Sequence, residues 1–134
     1  VSGTGFRIDI SSPVAPSQVQ FNSTSQSVYY TTVTTSLQCN WTNGYDRYSG
    51  ISRYWVSVST ETQNNWNNGI VKDWTDNGTQ ITVIISSLSL QSGVTYYVGV
   101  KSEDYVGWVS SGITVTTAIV IDTTVPTMPD GCRA

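Results

Sequence analysis

The chain has 134 residues, a formal net charge of −3, only 11 % charged residues and no histidine. That length suits one domain whose core needs no disulfide staples, and the six basic residues lack the clustering that phosphate backbones require, which excludes nucleic acid as a partner. No apolar run approaches the ~20 residues of a bilayer-spanning helix, and without histidine neither a His-based triad nor a His-containing zinc site can be assembled.

Apolar and polar residues alternate in short runs separated by Gly, Asn, Asp and Ser clusters, with no sustained 3.6-residue period, so the chain reads as all-β. In chain order, Gln18–Phe21 and Val28–Val33 are weak strands of the edge or the first-strand region. Leu37-Gln38-Cys39-Asn40-Trp41 places Leu37, Cys39 and Trp41 on one face. After the loop Asn43-Gly44-Tyr45-Asp46, the run from Ile51 to Val58 repeats that pattern through Tyr54, Val56 and Val58. The polar run Gln63–Asn68 reads as a loop and Gly69–Trp74 as a further weak strand. Ile81, Val83 and Ile85 mark the next strand, Tyr96, Val98 and Val100 the one after the Gly93 turn, and Ile113–Ile121 a last long strand. Strands at intervals of roughly 8–12 residues predict a two-sheet antiparallel sandwich of about seven strands.

The motif Leu90-x-x-Gly93-x-x-Tyr96-x-Val98-x-Val100 resembles the tyrosine-corner signature of fibronectin type III domains, and Leu37-x-Cys39-x-Trp41 resembles that family's second strand. The resemblance covers Val19 to Pro126 and passes in order through Trp41, Asp46, Ser49-Gly50-Ile51, Tyr54, Leu90 to Val100, Asp104, Gly107 and Ile121 to Thr124. It implies an immunoglobulin-like sandwich with Trp41 and Tyr54 in the core. Tyr96 would satisfy backbone just upstream through its hydroxyl, at a corner shaped by Leu90 and Gly93. It also implies an extracellular setting, since such repeats occur in long surface and matrix proteins.

Ile8-Asp9-Ile10-Ser11-Ser12-Pro13-Val14-Ala15-Pro16 and Ile121-Asp122-Thr123-Thr124-Val125-Pro126-Thr127-Met128-Pro129 align without gaps, 113 residues apart, each shortly after a Ser-Gly pair. Asp9, Pro13 and Pro16 therefore have counterparts in Asp122, Pro126 and Pro129, and the segment reads as one linker met twice. Residues 1–16 are expected to be the end of a preceding repeat and its linker, 17–121 the sandwich, and 122–134 a linker and the start of the next repeat. Two prolines three apart stiffen such a linker. The array is expected to be covalent; strand donation from the first ten residues into a neighbour's open edge would be the polymerising alternative.

The acidic residues include Asp46, Asp73, Asp76, Glu103 and Asp104 in loops, where solvated charge is the simplest reading, so no enzyme activity, catalytic residue or cofactor is expected. Asp9, Asp46, Glu103 and Asp104 would converge at one end of the implied fold, where loop oxygens suit calcium, although no Asp-x-Asp-x-Asp-Gly loop is present and no metal ligand is assigned. Asn22, Asn40 and Asn77 begin Asn-x-Ser/Thr sequons and are expected to face solvent and to be able to carry N-glycans. Among five tryptophans, Trp55, Trp66, Trp74 and Trp108 fall on outward or loop positions, and Trp66, Trp74 and Trp108 are the candidates for stacking on sugars or neighbouring repeats. Cys39 reads as a buried free thiol, whereas Cys132, in the start of the next repeat, holds the position equivalent to Val19 of this one. The resulting expectation is a structural or adhesive module of an extracellular glycoprotein whose partners are copies of itself, with a carbohydrate-binding module or a hydrolase accessory domain as alternatives.

Overall fold

A computed structural model describes residues 10–22 and 26–124. Among the described residues nine strands form: β1 (Val19–Phe21), β2 (Val28–Thr31), β3 (Leu37–Trp41), β4 (Ile51–Ser59), β5 (Ile70–Asp76), β6 (Thr82–Ile85), β7 (Thr95–Asp104), β8 (Thr114–Val115) and β9 (Ala118–Ile121). One sheet has the order β1-β3-β6 and the other β2-β9-β7-β4-β5, with β8 also pairing β7. The expected seven strands are recovered once two interruptions are recognised. β1 and β2 together take the place of one strand: β1 lies in the small sheet and ends at Asn22, which sits at φ 52°, and β2 lies in the large sheet parallel to β9.

The second interruption corrects the expectation of one continuous strand from Ile113 to Ile121. At Thr116 the backbone N–H donates to the Val98 carbonyl at 2.9 Å, while Val98 N–H donates to the Thr116 hydroxyl at 3.1 Å. A side chain thus replaces a backbone acceptor in the ladder, and β8 and β9 pair β7 separately.

Alternation sets the core. Leu37, Cys39 and Trp41 face Tyr54, Val56 and Val58 of β4, Tyr96, Val98 and Val100 of β7, and Ile119 and Ile121 of β9, all buried. Each fully buried aliphatic side chain contributes roughly 1.5–3 kcal/mol. The Trp41 and Tyr54 rings meet edge to face at 5.7 Å, a favoured geometry for opposed ring quadrupoles.

The tyrosine corner is present. Tyr96 is buried, its hydroxyl accepts from the Gln91 N–H at 3.0 Å, and Leu90 is buried beside it. Gly93 takes φ 85°, a left-handed conformation that carries a steric cost for any side chain, and its N–H reaches the Ile121 carbonyl at 2.7 Å.

The first described residues enter at the head of the sandwich, the end that carries the β3–β4 and β7–β8 loops; β9 leaves at the opposite end, the tail. Val14 and Tyr45 exchange two backbone hydrogen bonds, at 2.6 and 3.1 Å. Gly44 permits this approach, since a Cβ there would lie 2.8 Å from the Val14 carbonyl oxygen and 2.4 Å from Ser102 Oγ. Pro13 and Pro16 are buried, and the Thr114 hydroxyl donates to the Pro16 carbonyl. The stretch from Pro13 to Pro16, expected to belong to a stiff linker, is docked on the sandwich. Its prolines are buried apolar surface there, not hinges.

Candidate functional site

Trp66 is the largest departure from the pattern reading. The run Gln63–Asn68 forms 3-10 turns rather than a loop, and Trp66 is 3 % exposed. Its indole lies across the outer face of the large sheet, where Nε1 donates to Ser57 Oγ at 3.0 Å and Ser57 Oγ donates in turn to the Lys72 carbonyl at 2.8 Å. Ser59 Oγ donates to the Trp66 carbonyl at 2.9 Å. Gly99 on β7 makes room: a Cβ there would sit 2.8 and 2.9 Å from Trp66 Cζ2 and Cη2. Trp66 is therefore packing, and the expectation that it offers a face to sugars is overturned by its burial.

Trp74 is half-buried against Trp66, ring centroids 5.9 Å apart, with the Lys101 ammonium 4.2 Å from its own centroid. Trp55, also half-buried, donates Nε1–H to Glu103 Oε1 at 2.8 Å. The Arg53 guanidinium lies 5.9 Å from its ring centroid and pairs with Asp76 at 2.8 Å. Of the three candidate stacking residues, Trp108 alone stays open, at 47 % exposure on the β7–β8 loop.

The head concentrates exposed apolar side chains to a degree that reading single strands does not reveal. Val14, Tyr45, Tyr48, Tyr105, Val106 and Trp108 are all exposed and lie on the docked segment, the β3–β4 loop and the β7–β8 loop. Two carboxylates hold those loops. Asp46 Oδ2 accepts from the N–H groups of Tyr48, Ser49 and Gly50 at 3.1, 2.6 and 3.1 Å. Asp104 Oδ1 accepts from those of Val106, Gly107 and Trp108, each at 2.9 Å. Rigid loops thus carry the aromatic patch, and the signal in the sequence was the pairing of Asp46 with Asp104 on the two loops beside Tyr and Trp residues.

Those bonds bear on the calcium expectation. Asp46 and Asp104 each turn one oxygen to their own loop and leave the other buried without a hydrogen-bond partner, while Glu103 is held by Trp55 and Arg53. Asp9 lies outside the described residues, and among those described no three acidic, cysteine or histidine side chains gather as a metal-ligand set.

Among the sequon residues, Asn22 is exposed, with Ser23 and Thr24 outside the described residues. Asn40 is on the outer face of β3 as expected, but only half-exposed, and its Oδ1 is buried. Asn77 Nδ2 donates to the Gln80 and Thr82 carbonyls at 3.0 and 3.1 Å, so a glycan there would displace one of the two bonds. Asp122 is exposed just past β9, where hydrogen bonds from the Thr124 hydroxyl and N–H hold its carboxyl below the ordinary range. Pro126, Pro129 and Cys132 lie outside the described residues. Cys39 is a buried free thiol, and burial pushes its pKa up to about 12.

No protein-family model matches the chain, and no curated protein matches it. Solved structures do. A fibronectin type III domain of the human collagen alpha-1(XX) chain superposes with a TM-score of 0.52 at 18 % identity, over 91 % of this chain and 98 % of that one. The chain has the fibronectin type III fold. The sixth such domain of human fibronectin type III domain containing protein 3 gives a TM-score of 0.53 at 17 % identity, over 91 % and 98 % of the two chains. The twitchin kinase region of C. elegans gives 0.55 at 14 %, and there this fibronectin type III fold covers 90 % of its own chain but 19 % of the other. At these identities the likeness is one of fold. Among the described residues no helix is long and apolar enough to cross a membrane.

Proposed function

We propose that this fibronectin type III-like module is a spacer and adhesive unit of an extracellular glycoprotein, repeated head to tail in a rod, filament or coat, and that it has no catalytic role. The observation that carries the reading is the duplicated Ile-Asp-x-x-x-Pro-x-x-Pro segment, whose first copy has its Pro13 and Pro16 built into the sandwich. A second copy of those prolines 113 residues later is what a following module of the same kind would need for its own head. Copies of the module are then its main partners, and N-glycans at exposed sequons such as Asn22 would keep a weakly charged surface soluble.

Negative-stain imaging of the native material tests this. Rods with a regular module-length period are expected, and discrete particles of single-module size would sink the reading. Exposed Trp108 supports a second reading, a carbohydrate-binding head; glycan binding that is lost on Trp108→Ala would favour it over the spacer.

A further inference from the structure

The array reading, on which the following rests, leaves open how successive modules meet. Ile121 is the last strand residue at the tail, fully buried and paired with Thr31 of β2. The counterpart of the docked Pro13 is Pro126. Four residues, Asp122 to Val125, therefore separate the tail of one module from the docked head segment of the next. Five Cα steps span at most about 18 Å, too little to hold two sandwiches apart in solvent.

Each end has a surface suited to the other. The head carries the exposed aromatic side chains of Tyr45, Tyr48, Tyr105 and Trp108 on the two loops at that end, and exposed apolar groups gathered at one end mark an interaction surface. At the tail, Tyr30, Thr31, Thr32, Asp122 and Thr124 line a shallow concavity of about 450 Å³, with Tyr30 and Val33 exposed around it. Charge is complementary as well. Arg47, stacked on Tyr48 at 5.2 Å, is the cation of the head and pairs with no carboxylate among the described residues, while Asp122 is an exposed anion at the tail.

We propose that the aromatic head of each module seats on the Tyr30–Asp122 concavity of the module before it, Arg47 facing Asp122, so that the array is stiffened by a protein–protein contact at every junction. The occupant of the head is a second copy of this chain. Inter-domain contacts of this kind bury roughly 600–1,500 Å², and aromatic and arginine side chains dominate the energetics of such surfaces.

The test uses a fusion in which residues 1–125 are followed directly by residues 13–134, keeping the natural four-residue tether. Trp108→Phe in the upstream copy makes the remaining Trp108 report only on the junction. Hydroxyl-radical footprinting is then expected to label that Trp108 about fivefold more slowly than in the single chain, where it is 47 % exposed, as an indole passes into an interface core. Tyr30→Ser with Val33→Ser in the upstream copy, both surface positions, should restore the single-chain rate without unfolding either module. Equal labelling of Trp108 in the fusion and in the single chain overturns the contact. So does protection of the single chain by glycans or proteins of the native extract with none in the fusion, which assigns the head to a foreign ligand. Native rods combined with an unprotected Trp108 would overturn the seat alone, whereas native material made of isolated modules removes the array itself.

Discussion

Replacing Trp66 tests its packing role, because packing and ligand stacking predict opposite outcomes. Trp66→Ala removes an indole that is 3 % exposed, together with its bond to Ser57 Oγ. Large-to-small changes of a buried aromatic cost about 3–5 kcal/mol, and the lower half of that range applies here, since the cavity would open beneath a surface turn that can collapse into it. Gly99→Ala attacks the same contact from the other side. Its Cβ would stand 2.7 Å from Ile113 Cγ2 and 2.8 Å from Trp66 Cζ2, an overpacking worth about 1–3 kcal/mol. With Trp66 gone, half of that clash is gone, so the double variant should be more stable than the sum of the single losses by roughly 1 kcal/mol. Urea unfolding followed by far-UV circular dichroism reads all four proteins, and a loss of about 3 kcal/mol should lower the midpoint by 1 M or more at the slopes of small domains. Additive losses, or a Trp66→Ala chain that keeps full stability, would refute the packing assignment.

Other outcomes follow from single bonds. Tyr96→Phe leaves the Gln91 N–H without the hydroxyl that it meets at 3.0 Å and should cost about 1–2 kcal/mol in the same unfolding assay, with no change of fold. The raised Cys39 pKa, about 12 against an ordinary 9.0, makes stability pH-dependent in one window. Below pH 9 the thiol is protonated in both states; between 9 and 12 the unfolded chain loses its proton while the folded one keeps it, so stability falls as pH rises. Cys39→Ala should flatten that fall in paired unfolding curves, and a thiol reagent should modify Cys39 only on unfolding. Expression through a eukaryotic secretory route should add glycan mass that Asn22→Gln removes, with a smaller share lost on Asn77→Gln, where the amide is engaged by the Gln80 and Thr82 carbonyls; intact mass before and after glycosidase decides.

Strands β3, β4 and β7 were legible because their inward faces alternate over five or more residues, and period two leaves little choice of which side is buried. Tyr96 was legible through its fixed distance from Leu90 and Gly93. Trp66 was not, because a lone indole amid asparagines has no period; its burial depends on the missing Cβ of Gly99 and the small Ser57, both distant in sequence. The same two residues were legible only as outward positions, although they are buried from the outside by that indole. The docked prolines were hidden for a related reason. Pro-x-x-Pro reads as an extended linker whether it runs through water or along a sheet edge, and only Gly44, across the β3–β4 loop, decides. The aromatic head escaped notice because its members sit on separate loops that local patterns cannot bring together.

The parallel pairing of β2 with β9 bears on how the module carries load. Chain enters at the head and leaves at the tail, so tension along the polypeptide draws β2 toward the head and β9 toward the tail. The pairs from Val28–Ala118 to Thr31–Ile121, and the Asp122 N–H bond to the Thr31 carbonyl at 2.9 Å, lie across that line of pull. They are sheared together and not peeled one after another. Rupture then requires their near-simultaneous failure, so in single-molecule stretching Thr31→Pro, which removes an N–H from the side of β2 that bonds β9, should lower the unfolding force far more than a change on the unloaded edge strand β5.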